Sequence, residues 1–395
     1  MENIVTLFVE KLNNIIENYP PELKLLLICC GSERWMSQDL LKNINWETFL
    51  QLVKRHRVNS HVYNFFFQNP CFFPAEILKH IQESQTVNSR RMLRLSAEML
   101  RLQNLFLTNN IKIIPFKGPS LACQIYNDPG MRHSIDLDFL AIPEDLDKIS
   151  TLMVKQGYKQ IKPDFPLSPR QKKVHKTMIH HFYFKNIETG LLVEIHWKLI
   201  TPSSLFLNSE NLFFKSLLPS EPFPCIKPEL LIHYLIVHGS MHRWYKLFWL
   251  KDIDEIFQRN LILDLKYFNR LTVLFNDERM VSQSLALVRL LFNTPVPAEL
   301  KPKIYSQQLI TVALTAIQTS EEKLHERTME RARRLIYIIR LKSGLSHFIS
   351  CLKAPGTNYL DWKTLPLPDS LFFMYYPLRP FLWFWSVFIK KIRTA

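Results

Sequence analysis

Two aspartates separated by a single residue, Asp136 and Asp138, lie within Ser134-Ile135-Asp136-Leu137-Asp138-Phe139-Leu140. Apolar and acidic residues alternate there, the pattern of a strand with two unlike faces. Ile135, Leu137 and Phe139 are therefore predicted on the core face and both carboxylates on the other. Two steps along a strand separate Cα atoms by about 7 Å. Carboxylates held that close repel each other unless a cation stands between them. Magnesium suits the place, because it binds one or two carboxylates and completes its shell with water and substrate phosphates. The plainer reading of D-x-D by itself is a solvated edge strand.

Two further segments bear on that choice. Val193-Glu194-Ile195-His196-Trp197 alternates in the same way, with Glu194 and His196 sharing the polar face. A carboxylate on a neighbouring strand would complete a two-metal site. One ion would lower the pKa of an attacking hydroxyl, and the other would bind a triphosphate and the departing pyrophosphate. Glu194 is also placed to act as the base that takes the hydroxyl proton; its plainer role is a surface glutamate on an amphipathic strand. Upstream, Lys117-Gly118-Pro119-Ser120 falls where a strand enters a helix, a geometry whose backbone N–H groups and positive helix end hold phosphate. The loop lacks the Walker pattern, and Pro119 removes one donor.

The elements that must position these groups are legible from periodicity. Residues 1 to about 110 read as helices, with apolar residues at three- and four-residue steps and Asn45 as an N-cap before Trp46. A strand is predicted over 111–116, a short helix over 121–126 and the acidic strand over 134–142. A helix opened by Pro143-Glu144-Asp145 then runs to about Gln156, before Gly157. His180–Lys185 and Leu191–Trp197 read as strands flanking Asn186-Ile187-Glu188-Thr189-Gly190, a loop of hairpin length. Helices return over 228–245, 247–259 and 320–341.

Taken together, Lys117-Gly118, Tyr126, Arg132, Asp136-Leu137-Asp138 and Glu194-Ile195-His196-Trp197 resemble the uncharacterised nucleotidyltransferase family. That family belongs to the superfamily sharing the DNA polymerase β-type palm. The resemblance continues through Leu231 to His233, His238-Gly239 to Trp244, Leu247 to Trp249 and Asp252. It implies that Asp136, Asp138 and Glu194 bind divalent metal, Mg2+ or Mn2+. Gly118 and Ser120 stand where the superfamily has its Gly-Ser phosphate turn, an imperfect match because Pro119 intervenes. Lys117 and Arg132 are implied as the cations on the triphosphate, one as a point charge and the other as a bidentate fork.

The remaining features leave alternatives open. His238 and His242 share a helix face, but HExxH zinc chemistry needs Glu where Gly239 stands; substrate contact and structural hydrogen bonding are the other readings. Trp244, Phe248 and Trp249 are predicted as core, and Asp252 as a group that orients a neighbour. Lys323, Arg327, Arg331, Arg333, Arg334, Arg340 and Lys342 form a basic helical region. It is either a solvated face balanced by nearby glutamates or a polyanion site. The C-terminal aromatics from Phe372 to Trp385, closed by Lys390-Lys391-Ile392-Arg393, pack on the helical body or touch a membrane surface.

The bulk numbers set outer limits. A net charge of +15 favours anionic partners, whether nucleotides, nucleic acid or an anionic membrane, without choosing among them. Six cysteines with no CxxC pair argue against a disulfide framework or a cysteine zinc site. No apolar run approaches 18 residues, so a transmembrane span is not expected. The first residues lack a secretory pattern, and a cytoplasmic location follows as the expectation.

The fold expected is α+β: a small mixed-sheet nucleotidyltransferase core at 111–200 between helical regions at 1–110 and 201–395. The activity expected is metal-dependent transfer of NMP from an NTP, ATP by default, to an acceptor that is a protein, an RNA end or a small molecule. The competing expectation keeps the fold without catalysis, as a nucleotide- or polyanion-binding adaptor.

Overall fold

The computed structural model describes residues 2–32, 34, 38–200, 205, 209–218, 222–262, 264–300, 306–320, 328–352, 357–382 and 385. Helices α1 (Glu2–Glu17), α2 (Pro21–Cys29), α3 (Gln38–Lys42), α4 (Trp46–His56), α5 (Asn59–Gln68) and α6 (Ala75–Thr108) come first. Asn45 caps α4 by accepting a hydrogen bond from the Thr48 N–H at 2.9 Å. The same helix ends on Arg57 in the left-handed region, at φ 56°.

Five strands follow: β1 (Ile113–Pro115), β2 (Asp136–Ala141), β3 (Tyr158–Lys162), β4 (His181–Asn186) and β5 (Leu192–His196). They form one mixed sheet in the order β1-β2-β5-β4-β3, parallel only between β2 and β5. The intervening helices are α7 (Gly118–Tyr126), α8 (Leu146–Lys155) and α9 (Pro169–Met178). The β4–β5 hairpin is tied by the Asn186 side chain, which accepts from the Glu188 and Thr189 N–H groups.

Each face of the sheet has its own packing partner. Leu137 and Phe139 of β2, with Val193 and Ile195 of β5, are fully buried against Met92, Leu95, Met99 and Phe106 of α6 and Ile149 and Met153 of α8. Burial of side chains of this size contributes about 1.5–3 kcal/mol each. A one-residue slip of either strand would move all of them to the wrong face. The opposite face, which carries Leu140, packs on the helical body. That body includes α10 (Ser209–Lys215), α11 (Pro228–Met241), α12 (Leu247–Gln258), α13 (Leu265–Phe275), α14 (Glu278–Phe292) and α15 (Gln307–Gln318).

The protein is thus an α+β fold in which a five-stranded mixed sheet is flanked by helices on both sides. Three local expectations need correction. Ile135 lies outside the core at 45% exposure, because sheet pairing begins only at Asp136. The first helix after β1 begins at Gly118 rather than Leu121. The helix predicted to reach Tyr245 ends at Met241, followed by Arg243 and Trp244 at φ 58° and 55°. Trp244 folds back so tightly that a Cβ on Gly239 would lie 2.1 Å from its ring.

The basic helical region falls partly outside the described residues, which include neither Lys323 nor Arg327. The described helix runs over Thr328–Leu341, with Arg333, Arg334 and Arg340 exposed; just beyond its end, Lys342 is buried. At the C-terminus Phe372 and Tyr375 pack with buried Trp362, whereas Phe373, Tyr376, Phe381 and Trp385 are exposed. Trp383, Phe384 and 390–393 lie outside the described residues. Among the described residues no helix is long and apolar enough to cross a membrane.

Candidate active site

The sheet face turned away from α6 carries the acidic side chains. Parallel pairing sets Asp138 directly beside Glu194 and Leu140 beside His196. Antiparallel pairing sets Tyr183 beside Glu194 and His181 beside His196. Period-two alternation then brings Asp136, Asp138, Glu194, His196, His181 and Tyr183 into one cavity of about 430 Å³. Lys117, Arg57, Arg132 and Arg334 also line it, so acidic groups face a basic wall.

Asp138 is the hub. Its Oδ1 accepts from Lys117 Nζ at 3.2 Å and from His196 Nε2 at 3.0 Å. The same His196 Nε2 lies 3.1 Å from Glu194 Oε2. Asp138, Glu194 and His196 each offer a ligand atom, and these atoms all lie within 4.8 Å of one another. Asp136 lines the same cavity but is not one of these three.

The charges act on one another strongly. Burial alone would raise the Asp138 carboxyl, but Lys117 and His196 hold it well below the usual carboxylate range. Asp136 has weaker support, from Lys117 and from the Ser134 hydroxyl, which donates to its Oδ1 at 3.2 Å. Burial first, then Asp138 and Glu194, push its carboxyl up to about 6. Burial would lower Lys117, yet Asp138, Tyr234 and Glu194 keep its ammonium above an ordinary lysine. His196 is likewise raised, against burial, by its bonds to Asp138 and Glu194. Crowded anions with one member only weakly compensated are what a divalent cation relieves. The donor set therefore fits such an ion.

Residues 42–293 match the family described as uncharacterised nucleotidyltransferase, a span that includes all five strands of the mixed sheet and helices α4 to α14. The chain belongs to this family. No curated protein and no solved structure matches it. The family is one of transferases that move nucleotidyl groups.

Within this nucleotidyltransferase the other sequence-predicted residues fall in different places. Gly118 opens α7 at φ 55°, and a Cβ there would press to 3.3 Å from the Asp136 carbonyl oxygen. Glycine is needed for both the backbone angle and the approach to β2. Ser120 is buried and does not line the cavity; its hydroxyl donates to the Pro115 carbonyl at 3.2 Å. Arg132 does line it, with Nε 3.0 Å from Asp252 Oδ2 and its guanidinium 5.1 Å from the Phe248 ring centroid. Tyr126 donates to the other oxygen of Asp252 at 3.0 Å. Asp252, 120 residues from Arg132, is the residue that orients it.

His238 and His242 both line the cavity, where His242 stacks on Trp249 with centroids 5.0 Å apart. Phe248 and Trp249 are buried yet form part of the cavity wall, while Trp244 is wholly core. His233 is structural, buried between Asp277 at 2.7 Å and the Phe268 carbonyl at 3.1 Å. Sequence reasoning missed His181, Tyr183, His133 and Arg57 as cavity residues. For the first two, the signal was available in the hairpin: pairing β4 to β5 across Asn186–Gly190 sets them opposite His196 and Glu194.

Proposed function

We propose that this nucleotidyltransferase moves NMP from a nucleoside triphosphate, ATP by default, to a nucleophilic oxygen of a protein, an RNA end or a small molecule, releasing pyrophosphate. Asp136, Asp138 and Glu194 would hold Mg2+ or Mn2+. The observation that carries this reading is the in-register pairing of Asp138 with Glu194 at the floor of a cavity walled by cations. A bound divalent ion would supply charge stabilisation on the triphosphate oxygens and a lowered pKa for the attacking hydroxyl.

The chain's own residues supply the rest. Lys117 and Arg132 neutralise triphosphate charge, and Asp252 keeps the Arg132 fork aimed by accepting at its Nε. Gly118 does not itself line the cavity, but it brings the start of α7 against β2 beside Asp136. Glu194 takes the acceptor's hydroxyl proton when it is not fully engaged as a ligand. Ser120 supports the β1–α7 turn from inside rather than touching phosphate. Arg334 and Arg57, at the wall of the cavity, add to the attraction of the polyanion.

Incubation of the purified protein and of a cell lysate with each α-labelled NTP tests this reading and identifies the acceptor. Label is expected in one acceptor class, with loss in Asp136→Ala and Asp138→Ala. The non-catalytic adaptor reading predicts nucleotide retention without transfer of label from any of the four.

A further inference from the structure

A second cluster stands beside the carboxylates and is not needed for the reaction just described. His180, His181 and His196 each present a ring nitrogen, and these three atoms lie within 4.8 Å of one another. Adjacent residues on a strand normally point to opposite faces. Here His180 sits in the bend before β4, and His181 is the first paired residue, directly opposite His196. The bend lets both rings turn toward the same neighbour. Their centroids lie 4.3 Å apart, and those to His196 are 5.5 Å and 4.8 Å.

His181 and His196 are buried, and Nδ1 of each has no hydrogen-bond partner among the described residues. A buried imidazole nitrogen without a partner costs free energy unless something binds it. Glu194 accepts from His196 Nε2 at 3.1 Å, which leaves Nδ1 as the nitrogen of His196 open to a ligand. Imidazole donors favour zinc and its first-row neighbours, whereas magnesium takes oxygen ligands and keeps its waters.

We propose that His180, His181 and His196 form a binding site for a zinc-class transition-metal dication, alongside the carboxylates assigned to magnesium. The inference rests on the imidazoles and does not require that the nucleotidyl-transfer reading be right. His196 belongs to both the imidazole set and the Asp138–Glu194 set, so the two metals would be coupled through one side chain.

Cobalt(II) serves as the probe, added to the full-length protein without nucleotide and in excess Mg2+. The wild type is expected to bind Co2+, with visible absorption of an imidazole-bound ion and displacement by Zn2+. The His180→Asn/His181→Asn double variant should weaken that binding by at least about a hundredfold. X-ray absorption of the Co2+-loaded wild type guards against a variant that merely misfolds, since imidazole scattering must then appear without any substitution. Oxygen-only scattering, or equal Co2+ affinity in a folded double variant, overturns the site. Because cobalt is read without nucleotide, these outcomes are separate from a negative transfer assay, which would overturn the proposed reaction alone.

Discussion

Arg132 Nε lies 3.0 Å from Asp252 Oδ2, and both side chains are almost wholly buried. This pair joins the loop before β2 to helix α12, and it aims a cation at the cavity from a second part of the chain. Removing one partner leaves a buried charge alone, so Asp252→Ala should cost about 3–5 kcal/mol in denaturant unfolding. Asp252→Asn keeps the shape but loses the charge-assisted bond. It is expected to raise KM for the NTP about tenfold, the size of one such bond, with a smaller change in kcat.

Asp136 should trade stability for function. Its ordinary carboxyl value of 3.8 is raised to about 6 by burial, Asp138 and Glu194. Between those values the folded protein keeps a proton that the unfolded chain has lost, so stability falls as pH rises through that window and stays lower above it. Without divalent metal, Asp136→Asn should therefore be more stable than wild type at pH 8 by on the order of 2 kcal/mol, and equal to it near pH 3.5. Thermal melts across pH, in chelator, give the comparison; a variant less stable at pH 8 would contradict it.

Gly239 is expected to tolerate no side chain. A Cβ there would meet the Trp244 ring at 2.1 Å, and Trp244 is held by its Nε1 bond to Gln283 at 3.2 Å. Gly239→Ala should cost about 3 kcal/mol by overpacking. It should also disturb the turn carrying His242 into the cavity, which a drop in activity at temperatures well below the melt would report.

Ser120 offers a contrast between a phosphate contact and a structural one. Its hydroxyl donates to Pro115 rather than facing the cavity. Ser120→Ala is accordingly expected to act on stability, by about 1 kcal/mol, rather than on KM for nucleotide. A large rise in KM with an unchanged melt would assign the hydroxyl to phosphate after all.

Much of the site was legible in sequence because β-strand chemistry is periodic. Alternation in Ser134–Leu140 and Val193–Trp197 places Asp136 and Asp138 on one strand face and Glu194 and His196 on another, and the structure aligns the two faces. The Asn45 cap was equally local. What escaped was set by distance or by strand ends. Nothing near Arg132 points to Asp252, and nothing near His180 shows that a bend cancels the usual alternation with His181. Ile135 was misplaced because a hydrophobic residue one step before a strand looks, in sequence, like the strand's first core position. The end of α11 depended on Trp244 returning over Gly239, five residues earlier, with its N–H donating to the Gly239 carbonyl, a contact that apolar periodicity does not signal.

Asp138 and Glu194, paired across β2 and β5, are proposed to serve with Asp136 to transfer a nucleotidyl group with the aid of a divalent ion. Pyrophosphate release from NTP by the purified protein, with an acceptor-containing lysate fraction, measures this most directly. Release is expected to require Mg2+ or Mn2+, to stop on chelation, and to fall by at least about a thousandfold in Asp138→Asn, as loss of a carboxylate that would hold the charge-stabilising ion does. Release at equal rates in wild type and Asp138→Asn, or none with any NTP and any divalent ion, would contradict this assignment.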